Sequence, residues 1–147
     1  MIETQIEIAA PPSRVRAVLL DSAKYPEWHT SIIHLLEPED NTKTLATLQQ
    51  GDVVRCDIEG MKFDAKITEN SERLLQWQGP PVFGLIAGLH GFHMEPTQDG
   101  SGTVFRQTEV FTGPISFLMR PSLLGRRVMG QFGRFNADLK RRAEELE

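Results

Sequence analysis

Residues 124–146 read LGRRVMGQFGRFNADLKRRAEEL. Leu124, Val128, Phe132, Phe135, Leu139, Ala143 and Leu146 recur at a period near 3.6, and Lys140, Arg141, Glu144 and Glu145 fall off that stripe. Such a segment is a long helix with one apolar face to bury. Pro121 and Gly125 interrupt SFLMRPSLLG just upstream, so a kink or a separate helical turn is expected before it. The partner of the apolar face is set by the chain that precedes it. From Ile32 to Gly113 helical periodicity is absent, and short β-rich runs alternate with turn residues. Strands are expected near residues 32–37, 44–50, 52–59, 61–69, 73–78, 89–96 and 103–112, separated by EDN, QQGD, EG, NSE and TQDGSG. Glu59-Gly60 reads as a tight hairpin. In MKFDAKIT (61–68), Met61, Phe63, Ala65 and Ile67 alternate with Lys62, Asp64, Lys66 and Thr68, which defines the buried face.

The opening IETQIEI (2–8) alternates Ile2, Ile6 and Ile8 against Glu3, Gln5 and Glu7, the period of a half-buried strand. Pro11 and Pro12 end it. Ser13 is expected to cap a helix carrying Val15, Val18 and Leu19, and Asp21 or Ser22 to cap a second short one. The order is therefore strand, two short helices, strand meander, long helix, without repeats or a dividing linker: one α+β domain over residues 1–147. An antiparallel sheet of about seven strands curls, and one helix laid in its concave side cannot fill the interior, so a cavity is expected.

Composition narrows the function. Sixteen basic against 20 acidic residues give a net charge of −4, which argues against a nucleic-acid partner bound by phosphate neutralisation. The single cysteine, Cys56, excludes an intrachain disulfide and Cys-rich zinc sites, and a reducing, cytoplasmic location is expected. MIETQIEIAAPP places acidic residues where a targeting segment needs basic ones, and no stretch of 18 apolar residues occurs, so neither a signal peptide nor a transmembrane span is expected. No G-x-S-x-G, G-x-G-x-x-G or Walker pattern is present, and no cofactor is expected.

Three stretches carry a likeness to known proteins: IEIAAPPSRVRAVLLDSAKYPEWHTSI (6–32), LHGFHMEPTQDGSGTVFRQTEVFTG (89–113) and FNADLKRRAEE (135–145). With their P-x-x-V, Y-P-x-W and G-T-x-F-x-x-x-E pieces, they resemble the START-like (SRPBCC) superfamily over nearly the whole chain. Within it the chain is most similar to the polyketide cyclase/dehydrase-like group. The resemblance implies a helix-grip fold and a hydrophobic ligand held between sheet and helix. It leaves open whether that ligand is a lipid or quinone merely carried, or a polyketide-like chain that is cyclised or dehydrated. Fold likeness says nothing about the site itself, which has to come from the residues.

Eight Phe against one Tyr make the inward faces strongly apolar. Trp28, Phe63, Trp77, Phe92, Phe111, Phe132 and Phe135 are the expected aromatic wall, with Val54 and Ile58 beside them and Asn136 on the helix. Cys56, inward with Val54 and Ile58, reads as a small buried hydrophobe. In HGFH, His90 and His93 are an odd number of residues apart and point to opposite faces of a strand, so no metal site is expected. His90 shares its face with Phe92 and Met94 and is the inward histidine, either a general acid–base or a satisfied core or rim group. Phe105, Gln107, Glu109 and Phe111 share one inward face of TVFRQTEVF. Glu109 is then a carboxylate in an apolar wall, to be protonated, bonded to Gln107 or matched by Arg55 or Arg106. That arrangement serves either proton transfer or a structural hydrogen-bond network. Finally, GPPVFGLIAGLHGF (79–92) and PISFLMRPSLLG (114–125) are too apolar for solvated loops. They are expected to form a lid over the cavity mouth, a homodimer contact or a membrane-touching surface, with Arg120, Arg126, Arg127 and Arg134 adding positive charge nearby.

Overall fold

The computed structural model describes residues 1–145, so Leu146 of the helical stripe lies outside the described residues. Alternation along IETQIEI builds β1 (Ile2–Ile8), with Ile2 and Ile8 fully buried. Helix α1 (Pro12–Leu20) begins two residues earlier than Ser13 would allow as a cap. Pro11 occupies the cap position, and its carbonyl accepts from the Arg14 and Val15 N–H groups. Pro12 suits the first helical position because its fixed φ is helical and its missing N–H would have been unpaired anyway. A 3₁₀ turn over Ser22–Glu27 follows, without a side-chain cap.

The meander runs β2 (Ile33–Pro38), β3 (Val53–Ile58), β4 (Met61–Asn70), β5 (Leu74–Gln78), β6 (Ala87–Pro96) and β7 (Thr103–Thr112). Together with β1 it forms one curved antiparallel sheet of seven strands in the order β1-β7-β6-β5-β4-β3-β2. Glu59 and Gly60, both at positive φ (51° and 86°), make the tight β3–β4 turn. Residues 44–50 are not a strand. Leu45 and Leu48 are both buried, a spacing of three that a strand would split between its two faces. The chain instead forms a 3₁₀ turn over Leu45–Thr47, where Thr44 and Thr47 bond reciprocally. The Asn70 amide then donates to the Leu45 and Leu48 carbonyls, replacing the missing ladder.

A 3₁₀ turn over Ser116–Met119 leads into helix α2 (Gly125–Glu145). A Cβ at Gly125 would sit 2.3 Å from the Met119 carbonyl oxygen, so only glycine lets the chain fold this tightly into the helix. Leu124 consequently stays outside the helix and is 59% exposed, leaving the buried stripe to Phe132, Phe135, Leu139 and Ala143. The helix lies in the concave face of the sheet beside β1 and α1. Near its C-terminal end Glu144 accepts from the Ala9 N–H. There Tyr25, Trp28, Phe92 and Phe135 pack ring to ring, with centroids 4.9 Å apart for Tyr25 and Trp28, and 5.8 Å for Phe92 and Phe135. Among the described residues no helix is long and apolar enough to cross a membrane.

Candidate functional site

Strand register assembles the site. The pairings Ile67↔Trp77, Trp77↔His90, His90↔Glu109 and Glu109↔Ile2 put one inward row across β4, β5, β6, β7 and β1. The next row holds Leu75, Phe92, Gln107 and Thr4, so Gln107 is a diagonal neighbour of His90. His93 points to the other face, where its Nε2 meets the Thr108 hydroxyl. Trp77 stacks on His90 with centroids 5.0 Å apart and planes 12° apart, and Phe132 of α2 meets the imidazole edge-on, also at 5.0 Å. The imidazole is thereby clamped, with only its in-plane nitrogens left for chemistry.

Those nitrogens have different partners. Nε2 lies 3.0 Å from Gln107 Oε1, and Nδ1 faces Glu109 Oε2 at 3.4 Å. The Gln107 amide nitrogen reaches Asn136 Oδ1 at 2.6 Å, and Asn136 in turn donates to the Thr4 hydroxyl. Glu109 is therefore not held by Gln107, as one expectation had it, nor by either arginine. Arg106 projects from the opposite face of β7 to pair with Glu3, and Arg55 sits exposed on the opposite face of β3 from Val54 and Cys56. His90 is the only cation-forming neighbour that the register brings to Glu109 among the described residues. The contact is close but not aligned as a hydrogen bond, and the buried Oε2 has no hydrogen-bond partner. Room for the carboxylate comes from Gly88, where a Cβ would stand 3.1 Å from Glu109 Oε1. A glycine inside a strand is the sequence signal for such a close approach.

This row forms one wall of a cavity of about 820 Å³ between sheet and helix. Ile58, Phe63, Trp77, Gln107, Phe111, Phe132 and Phe135 line it together with His90 and Glu109. Trp28, Val54, Phe92 and Asn136 do not: they stand behind the wall, each less than 10% exposed. Trp28 is taken up by Tyr25 and Phe135, Phe92 is covered by Trp77, Phe105 and Phe135, and Asn136 lies one helical turn past Phe132, holding Gln107. Wall residues that strand alternation did not single out include Ile33, Ile86, Met119 and Val128. Val128 was within reach of the sequence, being four residues before Phe132 on the same stripe. Ile86 and Met119 depend on where loops return, and Ile33 on the placement of the edge strand β2. Burial, and then the nearby Asp64 carboxylate, pushes the Cys56 thiol up to about 12, which makes it inert packing.

The stretch 79–92 is more ordered than a plain lid. β6 begins at Ala87, Val82 bridges Ile86, and Phe83 and Gly84 turn the chain at φ 53° and 69°. Phe83 is 94% exposed at the tip. The Ile115 N–H donates to the Leu85 carbonyl, tying this hairpin to the segment before α2, where Phe117, Leu123 and Leu124 are exposed. Pro80, Val82 and Met119 from the two segments border the cavity, and Arg127 stands beside them with its side chain 80% exposed.

A curved antiparallel sheet gripping a long C-terminal helix over an apolar cavity defines the helix-grip class of proteins. The chain belongs to the polyketide cyclase/dehydrase and lipid transport family, whose model matches residues 1–144. Solved structures with the same fold include a hypothetical protein from Helicobacter pylori, at 13% identity and a TM-score of 0.75, covering 96% of this chain and 86% of that one. The ZhuI aromatase/cyclase from Streptomyces sp. R1128 aligns at 17% identity and a TM-score of 0.69, covering 97% and 92% of the two chains. Norcoclaurine synthase from Thalictrum flavum aligns at 13% identity and a TM-score of 0.66, covering 95% and 83%. At these identities the likeness is one of fold. No curated protein matches the chain in sequence.

Proposed function

We propose that the protein binds an apolar, ring-bearing small molecule in the cavity and that His90 and Glu109 move a proton on it, in a cofactor-independent cyclisation or dehydration. The observation that carries this is the Glu109 carboxylate. A structural network would satisfy both oxygens, since buried polar groups in folded proteins are almost always paired. Here Oε2 is buried without a hydrogen-bond partner, 3.4 Å from an imidazole nitrogen, on the wall of an apolar cavity. Such a pair can take a proton from carbon beside a carbonyl as the C=C bond forms, and return it to the departing hydroxyl, which leaves as water. Trp77, Phe63 and Phe132 supply flat apolar surface to orient a ring or nascent ring. Family membership and the aromatase/cyclase among the fold neighbours support a reading of this kind.

The test starts with native mass spectrometry of the purified protein and extraction of what co-purifies. With that molecule, or an aromatic polyketide surrogate, His90→Ala and Glu109→Gln should each lower turnover by about 10²–10⁴-fold while binding stays within a few-fold. Unchanged turnover in both variants removes the pair from the mechanism.

A second reading, a carrier that delivers an apolar cargo to a membrane, is favoured by the exposed apolar side chains around the mouth and the neighbouring arginines. No Asp or Glu occurs from Val110 to Ala137, a stretch containing Arg120, Arg126, Arg127 and Arg134, in a chain of net charge −4. Under this reading vesicles containing anionic phospholipid pull the protein down, and Phe83→Asn with Leu124→Gln releases it. Absence of vesicle binding at low salt overturns it.

A further inference from the structure

Every hydrogen bond behind His90 can be given a direction, starting from one backbone carbonyl. Gln107 Nε2 lies 3.4 Å from the Phe132 carbonyl oxygen and 2.6 Å from Asn136 Oδ1. A main-chain carbonyl only accepts, so the amine end of the Gln107 amide faces α2 and its Oε1 faces the sheet interior. Asn136 follows the same logic: its Oδ1 accepts from Gln107, which leaves Nδ2 to donate to Thr4 Oγ1 at 2.9 Å. Gln107 Oε1 also only accepts, and the atom facing it at 3.0 Å is His90 Nε2, which must therefore carry a hydrogen.

We propose that Gln107 is a positioning residue that holds neutral His90 as the Nε2–H tautomer, leaving the Nδ1 lone pair free beside Glu109. The consequence for catalysis rests on the proton-transfer reading above; the tautomer itself does not. With Nε2 committed, Nδ1 and Glu109 Oε2 are two acceptors facing each other at 3.4 Å. One proton between them satisfies both, as Glu109 O–H donating to Nδ1 or as Nδ1–H of an imidazolium donating to the carboxylate. Trp77 covers one face of the ring and Phe132 meets it edge-on, so Nδ1 is the nitrogen left to exchange a proton with a ligand. The ligand head that fits two converging acceptors is a hydrogen-bond donor, such as a phenol or enol hydroxyl on a ring resting against Trp77. Such a hydroxyl gives its proton to Nδ1 and is left as the phenolate or enolate, while the imidazolium formed is held by Glu109 on one side and Gln107 on the other.

The test is long-range ¹H–¹⁵N NMR of histidine-labelled protein without ligand, at a pH above the usual imidazole range. The wild type should show the one-bond N–H of His90 on Nε2, with Nδ1 in the unprotonated chemical-shift range. Gln107→Met removes the acceptor at similar volume and should move the proton to Nδ1 or mix the tautomers, with a displaced pH profile of kcat. Gln107→Glu keeps an acceptor at the same place, accommodated by reversal of the Asn136 amide, and should restore Nε2–H. Neutral wild-type His90 protonated on Nδ1 overturns the proposal, and so does a Gln107→Met spectrum that still shows pure Nε2–H. The wild-type spectrum decides even where a variant fails to fold. An intact Nε2–H tautomer together with full turnover in Glu109→Gln would sink the proton-transfer reading and leave the positioning role of Gln107 standing.

Discussion

Helix α2 meets the sheet in two different ways along its length. In its C-terminal half, Phe135, Leu139 and Ala143 are at most 1% exposed, and Tyr25, Trp28 and Phe92 pack around Phe135, which also borders the cavity. In its N-terminal half, Val128 and Phe132 line a cavity of about 820 Å³ together with Trp77, His90 and Glu109. One amphipathic stripe thus serves as core at one end and as wall at the other. The cause lies in the partners. Toward the closed end, aromatic rings from the turn after α1, from β6 and from α2 converge. Toward the open end Gly79, just after β5, and Gly88 of β6 present no side chain, and the Val82–Ile86 hairpin and the Ser116–Met119 turn border the cavity. Where side chains can interdigitate the interior packs densely, and where glycine removes them the curvature of the sheet is left unfilled.

The largest effect that should separate the two ends is a truncation on each. Leu139→Ala should cost about 2–5 kcal/mol of unfolding free energy, because that side chain is fully buried away from the cavity and its removal leaves a void. Phe132→Ala should cost only about 1–2 kcal/mol, since one side of that ring already faces a cavity, and should weaken ligand binding more than Leu139→Ala does. Denaturant midpoints decide; equal losses would erase the distinction.

The closed end should also be the acid-sensitive one. His29 is fully buried there, its Nδ1 2.9 Å from Asp138 and its Nε2 accepting from the Ile32 and Ile33 N–H groups, so the neutral ring is the form the fold needs. Burial is the largest influence and lowers its pKa from the usual 6.5, against the opposing pull of Asp138. The unfolded chain then binds the proton first as pH falls. Stability is fully present above pH 6.5 and declines as the pH drops from there toward the folded-state value, by at most about 1.4 kcal/mol per pH unit. His93, lowered by burial and then by Arg106, adds in the same direction. Denaturant midpoints between pH 7.5 and about 5 should show this decline. His29→Gln should remove part of the slope; an unchanged slope would place the acid sensitivity elsewhere.

At the open end, Glu109→Gln should raise stability by about 1–2 kcal/mol while impairing turnover, because an amide can donate to His90 Nδ1 where the carboxylate oxygen has no partner. A loss of stability would mean that Glu109 is structural. The smallest effect belongs to the rim. Phe83 holds φ 53°, a conformation that asparagine tolerates better, and it is 94% exposed. Phe83→Asn should therefore gain about 0.5–1 kcal/mol in thermal or chemical unfolding. A loss would reveal packing against a partner copy.

Much of this contrast was legible residue by residue. The alternation Phe105, Gln107, Glu109, Phe111 put Glu109 on the inner face, and the odd spacing of His90 and His93 separated the two histidines correctly. The short loops of the meander and the long helical stripe gave the fold. Leu45 and Leu48 were misassigned because a run of β-formers hides a spacing of three, and only the Asn70 amide waiting beneath shows why the turn is preferred. Arg106 was a reasonable partner for Glu109 by proximity in sequence. On a strand, however, residues an odd number of positions apart face opposite ways, and the inward neighbour came from the next strand instead. Trp28 and Phe92 were expected on the wall because inward-facing and cavity-lining look alike in a periodicity.

What the sequence determined by itself is therefore which face each residue presents: the strands, the helix stripe, the apolar interior, and the inward placement of His90, Gln107 and Glu109. Facing depends on local backbone period, which a single segment carries. What only the tertiary structure decided is which inward residues stand side by side and where the interior stays empty. Register across three strands set Trp77, His90 and Glu109 in one row, the Phe132 carbonyl oriented Gln107, and the return of the chain before α2 against the Val82–Ile86 hairpin shaped the open end of the grip. Those relations join residues separated by tens of positions, and no local period encodes them.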